Sequence, residues 1–388
     1  MSGPLASLKI LDFSTLLPGP FASLMLADMG AQVLRVEPLG RPDLVRLLPP
    51  HVNGTSASHA YLNRNKDSIG LDLKQPQAKD IVLRLLGEYD ILIEQFRPGV
   101  MARLGLGYEQ LRESHPGLIY VSVTGYGQTG PYKDRAGHDI NYMALAGLSS
   151  YSGRQATGPA PLGMQVADIA GGSLHAVTGL LAAVIHRHQT GEGQQVDISM
   201  TDCVRTLNAM QAAASLATGE QPELESTLLN GASHYDVYQT RDGRWMAVGS
   251  LEPQFSTLLF EVLGCPELSA AALSQCPADR QALKDSLREA FAEQDYAHWC
   301  ERFAAVDACV EPVLTLPEAL AHPLLEARGM LQRVDNIPQL ACPIRFGSGL
   351  PAARHSGKTL GADTDRILAE LGLSTAEIDA LAAAGVVG

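Results

Sequence analysis

Two titratable residues stand thirty positions apart in settings that favour chemistry: His138 in RAGHDINYMALAGL and Asp168 in ADIAGGSLHAVTGLLAAVIHR. Asp168 is followed by Ile169, Ala170, Gly171 and Gly172, which puts its carboxylate at a helix start, where the macrodipole favours negative charge. That position suits an N-cap as well as it suits catalysis. The glycines favour catalysis, because backbone stripped of side chains lets a bulky ligand approach the N–H groups. His138 and Asp139 form a titratable pair just before a helical run, facing a loop-lined cleft, although a single histidine is most often structural. A third candidate, Glu252 in VGSLEPQF, follows a strand and precedes a Pro-initiated helix, where it could equally be a first-turn acid.

The turn of Pro18, Gly19 and Pro20 hands a strand over to a helix N-terminus, a place that can hold an anion or simply pack tightly. It is neither a dinucleotide fingerprint nor a Walker loop. Basic residues flank this face: Arg35, Arg41, Arg46, Arg64, Lys66, Lys74, Arg97 and Arg103. In a doubly wound sheet, ligands bind beyond the carboxyl ends of the strands, where Lys and Arg can pair the phosphates of a nucleotide-like group. Such a cluster stands out because the whole chain carries a net charge of −13, which argues against nucleic-acid partners. The six cysteines contain no C-x-x-C pair, so neither a disulfide scaffold nor a zinc site is expected, and no metal is required.

The elements that must position these residues read as alternating α/β. LKILDFS predicts a strand, PGPFASLMLADMGA a helix and AQVLRVE a second strand; SIGLDLK, DILIEQF and GLIYVSVTGYG predict further strands, with QAKDIVLRLLGEY as a helix. The stretch PPHVNGTSASHAYLNRNK has no period and reads as a long loop. TDCVRTLNAMQAAASLATG predicts one helix, and SHYDVYQTRDGRWMAVGS a hairpin turning at Asp-Gly and opening a second domain. ADTDRILAELGLSTAEIDALAAAG predicts a closing helix pair with Ser374 as an N-cap. No apolar run of about 18 residues suggests a bilayer span, and the N-terminus has no secretory pattern, so a soluble cytoplasmic protein without a membrane partner is expected.

Taken together, these stretches resemble the family III CoA-transferase superfamily (CaiB/BaiF type), which includes the α-methylacyl-CoA racemases. The resemblance rests on LDFSTLLPGPFASLMLADMGAQVLRVE, NRNKDSIGLDLK, FRPGVMARLGLGYE, VTGYGQTGPY and the ADIAGG helix start with TGEGQQVDISM, and it covers nearly the whole chain. It implies an interlocked homodimer, each subunit a Rossmann-like large domain with a parallel sheet plus a smaller α+β domain. The expected division is 1–200 for the first part of the CoA-binding domain, 201–228 for a connecting helix, 229–315 for the small domain and 316–388 for a return segment.

The resemblance also assigns roles. In the transferases the residue matching Asp168 attacks the acyl-CoA carbonyl and passes through an aspartyl-CoA thioester. In the racemases it and a histidine face opposite sides of the α-carbon, one removing the proton and the other returning it. GHDINY and EPQF resemble the racemase pattern, which implies His138 and Asp168 as the two bases, Glu252 orienting His138, and the amides around Asp168 and Ile169 holding the enolate. PLGMQVAD departs from it by lacking an Asn before the aspartate and looks transferase-like. For the CoA moiety, the motifs imply Leu71, Lys74, Phe96, Arg97 and Arg103. Pro38 stands where some relatives use Arg, which Arg35 or Arg41 could replace. No cofactor beyond the CoA portion of an acyl-CoA substrate is implied.

Overall fold

A computed structural model describes residues 3–388. Chain contacts divide it into two units, one comprising 3–146, 162–207 and 326–388, the other 147–161 and 208–325.

The first unit is built on a six-stranded sheet of β1 (Lys9–Asp12), β2 (Gln32–Glu37), β3 (Lys66–Gly70), β4 (Ile91–Glu94), β5 (Ile119–Thr124) and β6 (Gln195–Ser199). Every pairing is parallel and the order is β6-β5-β4-β1-β2-β3. Strands covered by helices on both faces must be apolar almost throughout, and β4 and β5 are buried at every position. The order reverses between β1 and β4, so their carboxyl ends open the crevice in which such folds bind ligands.

The helices of this unit include α1 (Pro18–Asp28), α2 (Pro76–Leu85), α3 (Asp139–Leu145), α4 (Ala167–Thr190) and α5 (Met200–Leu207). The first eight residues of α4, Ala167–Leu174, form a π-helical segment, a form often associated with functional sites. Contrary to the expectation that the chain has no apolar run of spanning length, α4 is long and apolar enough to cross a bilayer. It packs on α1, β5 and β6, the environment of a core helix. The C-terminal helices Thr364–Glu370 and Thr375–Ala383 follow, the second capped reciprocally by Ser374 and Glu377.

Two expectations are corrected here. The stretch 49–66 is not a bare loop: it folds into a hairpin of His51–Val52 with Thr55–Ser56, then a helix, Ala57–Leu62, capped by the Ser56 hydroxyl. The helix expected after β6 is broken into α5 and Ala209–Thr218, with Ala209 at φ +24°.

The second unit carries a three-stranded antiparallel sheet of Asp236–Gln239, Trp245–Val248 and Val310–Pro312. Its core is aromatic: Phe291 stacks on Tyr238 at 5.4 Å and meets the Trp299 ring edge at 5.3 Å. These contacts anchor the helices Pro277–Ala292 and Tyr296–Ala304 to the sheet.

Candidate active site

A cleft of about 430 Å³ opens beyond the carboxyl ends of β4 and β5, and both His138 and Asp168 line it. His138 is the N-cap residue of α3, its backbone N–H donating to Asn141 Oδ1 at 3.0 Å, so the imidazole stands exposed at the rim. Beneath it Tyr142 donates to the Gly137 carbonyl and meets Tyr126 edge-on at 5.2 Å. A Cβ at Gly137 would lie 2.6 Å from the Tyr142 ring, so only glycine allows His138 this seat.

Asp168 is half-buried near the start of α4. Its N–H donates to Asp139 Oδ1 at 3.0 Å. Two carboxylates are thereby brought together. Burial, reinforced by the Asp139 charge and opposed by His138, holds the Asp168 carboxyl up at about 6. A carboxyl with that affinity is mostly ionised at neutral pH yet readily accepts a proton, the condition for acid–base work.

Two parts of the expected site chemistry are corrected. The amides of Asp168 and Ile169 are already engaged, the first by Asp139 and the second by the Gln165 carbonyl at 3.0 Å, so they are not free to hold an enolate. Gly171 and Gly172 serve packing rather than ligand approach: both are buried, and a Cβ at Gly172 would lie 3.0 Å from Pro18 Cβ and 3.1 Å from Met200 Sδ. Gly19 likewise packs, a Cβ there falling 2.2 Å from Ser14 Cβ, and its N–H donates to Gln95 Oε1 at 2.9 Å. The PGP turn is a tight junction, not an anion site.

The basic set separates into two groups. Arg35 is 2% exposed and pairs with Asp43 at 2.9 Å and Glu37 at 3.3 Å, so it presents no surface to a phosphate and cannot replace a missing arginine at Pro38. Arg46 pairs with Glu37, and Arg64 with Asp28. Lys66 is enclosed by Asp12, Ser23 and the Pro20 carbonyl, and burial brings its ammonium down to about 7. Leu71 is also buried, packed in the core with its N–H donated to the Glu37 carbonyl, so its side chain meets no ligand. Arg41, Lys74, Arg97 and Arg103 remain exposed.

Of these CoA-side candidates, Phe96 and Arg97 line the cleft with His138 and Asp168. Lys133 and Arg135 line it too, Arg135 lying over the Tyr132 ring at 4.4 Å. Both belong to PYKDRAGHD, and two cations directly ahead of a candidate histidine were the signal that could have found them. Asp139 is legible in the sequence as part of a titratable pair, but its hold on Asp168 depends on tertiary contact. Glu252 lies in the second unit as the N-cap residue of Pro253–Leu263; its side chain is exposed and does not cap the helix.

Comparison with known proteins identifies the family. The profile of CoA-transferase family III matches residues 5–364. The chain is 37% identical to α-methylacyl-CoA racemase of Homo sapiens over 379 residues, covering 96% of this chain and 95% of the relative. It is 33% identical to acetyl-CoA:oxalate CoA-transferase of Acetobacter aceti, covering 89% of each. Among solved structures, a CaiB/BaiF family protein from Brucella suis superposes with a TM-score of 0.85 at 32% identity, covering 96% of this chain and all of that one.

Proposed function

The chain belongs to CoA-transferase family III, and from that premise we propose that it is a racemase that inverts the α-carbon of 2-methylacyl-CoA thioesters by two-base proton transfer. The observation that carries this reading is the shared cleft of His138 and Asp168, with the Asp168 carboxyl held at about 6. Inverting an α-carbon in this way needs a base on one face to remove the proton and an acid on the other face to return one. His138 takes or returns the proton on one face and Asp168 on the other. The carboxyl group exchanges protons near neutrality because burial and Asp139 disfavour its charge. Arg97, Lys133 and Arg135 supply positive charge for the phosphates of the CoA moiety. Lys74 and Arg103, both exposed, complete the proposed CoA contacts. Glu252 would orient the His138 ring in the assembled enzyme.

We also propose a cytoplasmic homodimer. Exposed apolar side chains support an assembly: in the second unit, helix Ala209–Thr218 has no buried residue and leaves Met210 70% and Leu216 89% exposed, more apolar surface than a solitary helix usually presents.

A second reading is a CoA-transferase that uses Asp168 as nucleophile. It is favoured by PLGMQVAD, which lacks the Asn expected of a racemase, and by the transferase relative in Acetobacter aceti. The two readings part in single variants supplied with each enantiomer in deuterated water. A two-base enzyme loses exchange from one enantiomer in His138→Ala and from the other in Asp168→Asn. Loss of CoA transfer in Asp168→Asn alone, with His138→Ala fully active, would favour the transferase.

A further inference from the structure

Strand β4 ends on Glu94, which is 4% exposed. A buried carboxylate is costly unless hydrogen-bonded or paired. Here, among the described residues, no cation compensates it; the charge it feels is that of Asp197. Its compensation is local: Glu94 Oε2 accepts the Phe96 N–H at 2.8 Å. The next residue, Gln95, accepts the Gly19 N–H. The turn leading to Arg97 is therefore clamped at two successive residues, one bond closing it on itself and the other tying it to the start of α1.

Beside this clamp lies a second cavity of about 180 Å³, lined by Glu94, Ser122, Gln128 and Arg97. Arg97 lines the candidate active site as well, so it forms a wall common to both. The Gln128 side-chain nitrogen is buried without a hydrogen-bond partner among the described residues, which leaves the compartment polar but incompletely satisfied. The other titratable side chains around it are Glu109, Tyr108 and Tyr120, and Tyr120 donates to the Leu106 carbonyl at 3.2 Å. Asp197 is held by the Gln128 N–H at 2.9 Å.

We propose that Glu94 is a positioning residue whose ionised carboxyl holds the Gln95–Arg97 turn in the form that presents Phe96 and Arg97 to the CoA moiety, and whose protonation slackens that hold. This rests on the CoA reading of the cleft. Burial pushes the Glu94 carboxyl up to about 7, against the Ser122 hydroxyl and the Phe96 amide, with Asp197 adding to the rise. An N–H bond to an ionised acceptor is roughly twice as strong as one to a neutral acceptor. Affinity for CoA therefore falls as the pH drops through neutrality.

The test uses the full-length protein, with free CoA as calorimetric ligand at about pH 6 and about pH 8, either side of the carboxyl's midpoint. Amide exchange of residues 95–97 is followed in the same samples. Wild-type affinity is expected to weaken about tenfold at the lower pH, beyond any change seen in Glu94→Gln. Glu94→Gln keeps an acceptor for Phe96 but has no carboxyl to titrate. Glu94→Ala is expected to bind about tenfold more weakly at both pH values, with kcat within about a factor of two of wild type and exchange at Phe96 about tenfold faster. Equal affinities in all three proteins, or an identical pH dependence in wild type and Glu94→Gln, overturns the proposal. If the wild type binds no CoA at all, the CoA reading of the cleft fails, and with it the link to CoA affinity. Exchange then reports on the clamp separately, and unchanged exchange in Glu94→Ala shows that Glu94 does not hold the turn.

Discussion

Replacing Asp139 by Asn isolates what one carboxylate does to another. Asp139 Oδ1 accepts the Asp168 N–H at 3.0 Å, and the Asn side-chain oxygen can accept the same bond, so the backbone at the start of α4 should keep its place. What is lost is a negative charge close to Asp168, the second cause, after burial, of the rise from 3.8 to about 6. Two unit charges about 5 Å apart at an effective dielectric of about 40 interact by roughly 1.7 kcal/mol, or about one pKa unit. The Asp168 carboxyl in Asp139→Asn should therefore titrate about one unit lower, with the remaining rise due to burial. A weaker base is a slower one, and with Brønsted sensitivity near one half the exchange rate at neutral pH should fall roughly threefold. The assay is the pH dependence of α-proton exchange kcat/KM in both proteins. The acid limb should move down by about one unit while the plateau drops. An acid limb that stays in place while activity falls would refute the electrostatic argument and leave Asp139 a purely structural acceptor.

Other outcomes follow from the same geometry. Asp168 binds its proton more tightly folded than unfolded, so between pH 3.8 and about 6 the native state holds more protons and stability falls as pH rises through that window. Asp168→Asn should therefore raise the melting temperature at about pH 8 and leave it little changed at about pH 4, by differential scanning calorimetry; equal shifts at both pH values would contradict this. Gly172→Ala must force a methyl between Pro18 and Met200, and urea titration should show a loss of about 1–3 kcal/mol. Arg64→Ala strands the buried Asp28 carboxylate and should cost about 3–5 kcal/mol in the same assay. Arg135→Ala, at the cleft rim, should leave stability unchanged but weaken CoA about tenfold and flatten the salt dependence of binding.

The parallel sheet was legible because buried strands leave continuous apolar runs, and DILIEQF and GLIYVSVTGYG carry them. Asp168 and His138 were legible because each stands at a helix start, a local signal. What could not be read is what distant segments decide. Arg64 and Arg97 look alike in a sequence, yet Arg64 is enclosed by Asp28 and the Leu340 carbonyl while Arg97 faces a cleft. The glycines after Asp168 suggested room for a ligand, but the space is filled by Pro18 and Met200. The short helix at Ala57–Leu62 escaped notice because one and a half turns are too few to show a period, and its stability comes from the Ser56 cap and tertiary packing.

The central claim is that Asp168 moves a proton rather than forming a bond to carbon. Incubating the wild-type protein with one enantiomer of a 2-methylacyl-CoA and a free carboxylic acid in deuterated water tests it in a single mixture. The expected result is deuterium at the α-carbon, loss of optical purity and no new thioester. An α-carbon that keeps its proton, together with CoA moved to the free acid and inactivation by hydroxylamine, would contradict it.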